Sequence, residues 1–231
     1  MNLSTRSYQK ELLDGDDIPF IDIKRNMEEL NTINTLLGGH AITVKGFAAL
    51  ISNRKKITVC EIGCGGGDNL AAIVKWCRKK KIEVSCIGID LKAECIAVAA
   101  ATGLLQTISK WIVNDYAEVV FETKPDIVFS SLFCHHFSDK ALVAQLKWMK
   151  TNSTTGFFIN DLHRNTIAYH SIRILTKIFS SSYLVKNDAP LSVARGFRKK
   201  EWIKICENAG IYASIEWKWA FRHLVTCKHV Q

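Results

Sequence analysis

No apolar run in these 231 residues approaches the ~18 to 20 residues that a membrane-spanning helix needs, so a transmembrane segment is not expected. The opening Met-Asn-Leu-Ser-Thr-Arg-Ser is polar and leads into Glu11, Asp14, Asp16 and Asp17, without the apolar stretch of a secretory signal. Eight cysteines are present, yet none forms a C-x-x-C pair or a metal-ligand spacing, and all fall within apolar runs. Buried free thiols, no structural metal and a reducing, cytoplasmic setting are the expectation. Internal repeats are missing, and the only charge run is Arg78 with Lys79, Lys80 and Lys81, read as a solvated helix end that complements the helix dipole. Acidic residues are in short supply: 22 Asp+Glu against 31 Lys+Arg give a formal charge of +9 and a pI near 9.1. That charge is compatible with nucleic acid, anionic lipid or an acidic substrate and does not choose among them. With 48% hydrophobic and 10% aromatic residues the chain is neither disordered nor of low complexity, and its length suits one domain.

From Ile21 to Leu37 apolar residues recur every three or four positions and Gly38-Gly39 supplies a stop, which predicts an amphipathic helix; a shorter one follows over His40 to Ile51. Thereafter β-rich runs alternate with helical ones. Strands are predicted at Ile57 to Ile62, Ile82 to Asp90, Trp111 to Asp115, Asp126 to Ser131 and Phe157 to Asn160, with helices at Asp68 to Lys80, Ala93 to Ala101, Lys140 to Lys150 and Lys199 to Ala209. Such alternation builds a parallel α/β sheet covered on both faces. Ala213 to Ala220 and Arg222 to His229 leave no room for a crossover helix and should pair as an antiparallel hairpin. An insertion of about forty residues after the fifth strand reads as a lid or substrate cap.

The most informative segment runs Val59-Cys60-Glu61-Ile62-Gly63-Cys64-Gly65-Gly66-Gly67-Asp68, an apolar strand that passes through spaced glycines into a helix. Missing Cβ atoms allow a sharp turn against which a ligand can lie, as in a nucleotide-type crevice at the end of a first strand. In a dinucleotide fingerprint counted from Gly63, Asp68 stands where the third glycine belongs. A carboxylate there disfavours a pyrophosphate and favours a nucleoside ligand without phosphates that carries positive charge. Asp90 closes the second strand, 23 positions after Gly67, where strand-end carboxylates accept ribose hydroxyls. Asp115, in Asn114-Asp115-Tyr116, either accepts from an adenine amine or caps a turn.

Here the sequence resembles the class I S-adenosylmethionine-dependent methyltransferases, whose first motif, E/D-x-G-x-G-x-G, is matched by Glu61, Gly63, Gly65 and Gly67. The resemblance covers roughly residues 40 to 231. It implies a Rossmann-like, seven-stranded, mostly parallel sheet ending in the antiparallel hairpin. An N-terminal helical extension would occupy about 1–52, and the catalytic domain 53–231 with its cap at about 161–197. It also implies S-adenosylmethionine as cofactor, held by Glu61, Gly63, Cys64, Gly65 and Gly67 at the methionine part, by Asp90 and Leu91 at the ribose, by Asp115 and Tyr116 at the adenine, and by Ser131.

The fourth strand continues into Leu132-Phe133-Cys134-His135-His136-Phe137, where this family places residues facing the transferred methyl. Neither the (N/D/S)-P-P-(Y/F/W) segment of amino-group enzymes nor a Pro-Cys nucleophile is present, which argues against a nucleic-acid partner. The cap, with Ile167, Tyr169, Ile172, Ile174, Leu175 and Phe179, together with Pro190-Leu191-Ser192-Val193 and Arg195-Gly196-Phe197, resembles bacterial small-molecule O-methyltransferases related to quinone methylases. A small aromatic acceptor, methylated on oxygen or on carbon, is the expectation. For a phenol of pKa ~10, a histidine of pKa ~6.5 can take the proton as transfer proceeds. His136 and His163 are the candidate bases, with His135 third if the register turns it away. Trp217 and Trp219 are expected on a sheet face or in the core, and the N-terminal helix either closes the cofactor pocket or serves as a homodimer contact.

Overall fold

The computed structural model describes residues 2–106 and 108–229. Two helices, α1 (Phe20–Leu36) and α2 (Gly39–Ile51), precede the alternating part. This runs β1 (Lys56–Ile62), α3 (Asp68–Lys80), β2 (Glu83–Asp90), α4 (Ala93–Ala100), β3 (Ser109–Val113), β4 (Ile127–Ser131), α5 (Asp139–Thr151) and β5 (Gly156–Leu162). The insertion folds as two helices, α6 (Thr166–Phe179) and α7 (Tyr183–Arg195), before α8 (Lys199–Ala209), β6 (Ser214–Lys218) and β7 (Arg222–Lys228).

One seven-stranded sheet results, in the order β3-β2-β1-β4-β5-β7-β6. Strands β1 to β5 pair in parallel, while β7 pairs antiparallel with both β5 and β6, so the hairpin closes one edge. Because β1 lies between β2 and β4, the chain reverses direction of travel beside β1 and leaves a crevice at the carboxyl ends of the strands. One face packs Leu142, Leu146 and Met149 of α5 and Trp202 and Ile205 of α8. The other packs Phe47 and Leu50 of α2 against Leu70 and Ile73 of α3 and Phe129 and Phe158 of the strands.

Local chemistry sets the helix ends. Ser138, Asn165 and Ser182 accept backbone N–H groups at the starts of α5, α6 and α7, and Gly210, at φ +66°, ends α8. Only part of the apolar face expected of the cap turns inward. Ile172 and Leu175 line a cavity under it, whereas Ile167, Ile174 and Phe179 point outward and are exposed. Trp217 and Trp219 are not in the core either: both are exposed, since β6 is the edge strand and Trp219 sits beyond its end. All eight cysteines are buried and free, and among the described residues no helix is long and apolar enough to cross a membrane.

Candidate active site

The glycine turn follows β1 directly. Gly63, Gly65 and Gly67 adopt φ of +64°, +50° and +74°, a region that L side chains rarely tolerate. A Cβ on Gly63 would lie 2.2 Å from the ring of Phe133, so the β4 loop packs against bare backbone there. Met27 of α1 covers the turn, approaching both Gly65 and Gly66, and α1 thus closes over the crevice. Cys64 is buried, and its N–H donates to the carbonyl of Ile89 (3.1 Å), which ties the turn to the end of β2.

Asp90 accepts from the N–H groups of Gly65 (2.9 Å) and Lys92 (3.0 Å) and braces the turn from below. Burial raises its pKa against the pull of those hydrogen bonds. Leu91, next to it, is exposed. Glu61 is fully buried; burial and the charges of Asp68 and Asp90 push its carboxyl well above the usual range, and its Oε2 has no partner. Asp68 does not face the crevice in the way its position suggested. It is turned under α1 and α2, where Oδ2 meets His40 Nε2 (2.7 Å) and accepts from Asn34 Nδ2 (3.0 Å). Asp68, engaged by these internal partners, does not present its carboxylate to a ligand in the crevice.

Asp115 lies at the end of β3 and accepts from the N–H of Ala117 (2.9 Å), capping a short 3-10 turn. Tyr116 stands edge-on to Phe133, Phe137 and Trp148, an aromatic wall between β3 and the β4 loop. Ser131 is buried at the end of β4, its Oγ within 3.4 Å of Asn160 Nδ2. The glycine turn, Asp90 and Ser131 thus stand on the same rim of the sheet, with Asp115 further along it.

Past Ser131, Leu132 adopts φ +54° and the chain turns into the 3-10 segment Cys134–His136. Both histidines of that turn line a cavity of about 360 Å³. Its walls are mostly apolar: Leu30 and Ile33 from α1 with Leu37 at its end, Leu132 after β4, Ile172 and Leu175 from α6, Val185 and Val193 from α7, and Trp219 and Phe221 from the hairpin. Polar groups enter at a few points, among them Glu11, Asn34, Asp188 and Arg222. This combination suits a small ligand that is mainly apolar and held at a few polar points.

The N-terminal strand of chain ahead of α1 is tied across the site. Arg6 donates to the carbonyls of Arg195 (3.0 Å) and Phe137 (2.9 Å), and Asp188 accepts from the N–H groups of Leu12 (2.8 Å) and Leu13 (3.0 Å). This strap carries two carboxylates to the histidines. His136 Nδ1 lies 3.2 Å from Asp14 and its Nε2 3.7 Å from Glu11. His135 is buried between Asp161 Oδ1 (2.8 Å) and Glu11 Oε1 (3.5 Å). Burial alone would lower the pKa of His135, but Asp161 and Glu11 outweigh it and lift it to about 9. Asp14, despite burial, is held down to about 2 by His136 and Arg195.

His163 is placed elsewhere. It follows β5 with its ring outside the cavity lining, accepts from Trp217 Nε1 at Nδ1 (3.1 Å), and lies 4.9 Å from the ring of His223. Burial, with Arg198 and Arg164 nearby, lowers its pKa. Of the three histidines singled out in the sequence, His135 and His136 are brought together and His163 is not. His135, ranked third in case the register turned it away, shares the cavity wall. Glu11, Asp14, Asp161 and Arg222 were not anticipated; the contacts of Glu11, Asp14 and Arg222 span more than a hundred residues and that of Asp161 with His135 spans 26, which leaves no local signal.

Residues 59–154 match the family described as "Methyltransferase domain". Among curated proteins no sequence relative matches the chain. Solved structures share the fold. The plantazolicin methyltransferase, solved with SAH, is 14% identical, with 91% of this chain and 96% of that chain covered at a TM-score of 0.67. A SAM-dependent methyltransferase from Aquifex aeolicus is 16% identical over 90% of this chain and 98% of its own, with a TM-score of 0.59. Human N-acetylserotonin methyltransferase, in complex with SAM, is 12% identical over 92% of this chain and 57% of its own, with a TM-score of 0.63. The strand, glycine turn and helix described above lie inside the matched segment.

Proposed function

We propose that this S-adenosylmethionine-dependent methyltransferase delivers the methyl group to an oxygen of a small phenolic or quinol-like acceptor in the cavity under the cap, with His136 as the base. The observation that carries the reading is the cavity itself, about 360 Å³, largely apolar, and lined by a histidine that two carboxylates orient.

The residues present fit the cofactor. The positive-φ glycines leave a cradle that a Cβ would fill, and Asp90 stands at the adjacent strand end with acceptor capacity beyond the two N–H groups it binds. Gly63, Cys64, Gly65 and Gly67 would hold the methionine part, supported from behind by Glu61. Asp90 and Leu91 would hold the ribose, Asp115 and Tyr116 the adenine, and Ser131 would close the methyl end. The cofactor supplies an electrophilic methyl on a sulfonium. What the chain supplies is alignment, exclusion of water by α1, α6 and α7, and removal of the acceptor's proton.

His136 suits that last task by placement: it faces the cavity, and Asp14 at Nδ1 fixes the orientation of its ring. His135, already engaged by Asp161 and raised to about 9, serves better as a fixed positive charge that stabilises a phenolate beside it. Carbon methylation of a quinone precursor would use the same base and cavity and is the second reading. A cavity of this volume under a two-helix cap disfavours a nucleic-acid strand as acceptor. Eight buried free thiols favour a reducing, cytoplasmic setting.

Incubation with methyl-labelled S-adenosylmethionine and a panel of phenols, quinols and RNA, followed by mass location of the methyl, tests the reading. Label on a phenolic oxygen supports it, and label on carbon or on RNA replaces it.

A further inference from the structure

Arg222 opens β7 opposite Leu162 and lines the same cavity. Its side chain is buried, with 3% of the residue exposed. Of its five N–H donors the structure shows one engaged, Nη2 donating to Asn34 Oδ1 at 2.8 Å, while Nε and Nη1 have no partner. Asn34 is neutral, and among the described residues no carboxylate lies within ion-pair distance of the guanidinium.

The two nearest acids are committed elsewhere. Asp161 is taken by the ring of His135 and the N–H of Leu162, and Asp68 by His40 and Asn34. Burial weakens the charged form of Arg222 and lowers its pKa to about 10, so it remains a cation at neutral pH. A buried, unpaired cation is unfavourable unless an anion joins it, and the open N–H donors of a guanidinium suit a carboxylate.

From this geometry we infer that Arg222 is the carboxylate-binding residue of the cavity, donating from its open N–H groups to a ligand carboxylate in a charge-assisted hydrogen bond. The inference rests on the proposed function in taking the cavity as the methyl-transfer chamber, and it deepens that reading. A carboxylate can enter from two sources: an aromatic acid as acceptor, whose hydroxyl would lie toward His136, or the methionine end of the cofactor. Asn34 links Arg222 to Asp68 at the start of α3, just behind the glycine turn, so both sources are within the same polar corner.

Calorimetry on the full chain separates them with two matched pairs of ligands. Benzoate and benzamide, titrated in the presence of S-adenosylhomocysteine, differ only in the acid group; S-adenosylhomocysteine and its decarboxylated analogue differ likewise. The expected result is that at least one pair shows a preference of about tenfold or more for the carboxylate. Arg222→Gln should abolish that preference and leave the neutral member's affinity within about twofold, while Arg222→Lys, which retains the charge without the guanidinium, should keep part of it. Preference in the benzoate pair assigns the group to the acceptor, and preference in the other pair assigns it to the cofactor. No preference in either pair of the native protein overturns the inference, as does a preference that survives unchanged in Arg222→Gln or, should that variant not fold, in Arg222→Lys. Since the readout is binding, absence of methyl transfer to phenols would count against the proposed function without touching this result.

Discussion

His135 Nδ1 and Asp161 Oδ1 meet at 2.8 Å with neither side chain more than 2% exposed. The histidine's folded pKa of about 9 exceeds its unfolded value of ~6.5, so the stabilisation is complete below ~6.5 and is lost as pH rises through 9. Asp161 is held below its usual range, because the His135 charge and hydrogen bond outweigh burial; its contribution is present above ~4 and lost as pH falls. Thermal denaturation of the native chain should show Tm declining between pH 7 and 9.5, and His135→Gln should flatten that decline. Asp161→Asn leaves a buried cation short of its partner and should cost about 3 to 5 kcal/mol. An identical pH slope in native protein and His135→Gln would refute the assignment.

His136→Ala should lower kcat by about 10² to 10⁴ with little change in the affinity for S-adenosylhomocysteine. His163→Ala should leave kcat within about threefold, because its ring lies outside the cavity lining and engages Trp217. Single-turnover rates on the two variants decide between these histidines, and a large loss in His163→Ala would reverse the choice.

Gly63→Ala forces a Cβ to 2.2 Å from Phe133 at φ +64°. The left-handed backbone alone costs about 1 to 2 kcal/mol, and the overlap adds to it, so a lower Tm and at least about tenfold weaker S-adenosylhomocysteine binding are expected. Gly103→Ala is the control, since nothing lies within 4 Å of its added Cβ. Equal behaviour of the two variants by calorimetry would show that the turn is not a cofactor cradle.

Asp90→Ala removes the acceptor for Gly65 and Lys92 and should weaken cofactor affinity by about tenfold or more. Asp115→Ala removes a cap on Ala117 and should cost about 1 kcal/mol in stability. If Asp115 also receives the adenine, affinity for S-adenosylhomocysteine falls in that variant too; if affinity is unchanged, the residue is a cap alone.

Thiol reactivity should be low in the native protein, as burial pushes the Cys86 thiol up to about 12 and Cys77 up to about 11. In denaturant without reductant all eight should react. Titration that finds fewer would show disulfides and argue against a reducing setting.

The alternating strands and helices were legible in the sequence because hydrophobic periodicity and glycine stops are local. Both ends of α3 and α8 fall where the pattern puts them, and the absence of a crossover between β6 and β7 left only an antiparallel pairing. The glycine turn and Asp90 were legible for the same reason, since backbone freedom and strand-end position follow from neighbours in the chain.

What only the tertiary structure decided is which charges meet. Periodicity marks an apolar face without saying what covers it, and so it left Trp217 and Trp219 between a sheet face and the core and placed the whole α6 face toward the cavity. Asp68 illustrates the limit most plainly: its place in the motif suggested a charge facing the ligand, but His40, brought in by α2, takes it inside. Likewise the strap carries Glu11 and Asp14 to histidines more than a hundred residues away, and β7 carries Arg222 to Asn34. Secondary structure is set by short-range sterics and spacing, whereas pKa shifts, ion pairs and an unpaired guanidinium depend on distances that exist only once the chain has folded.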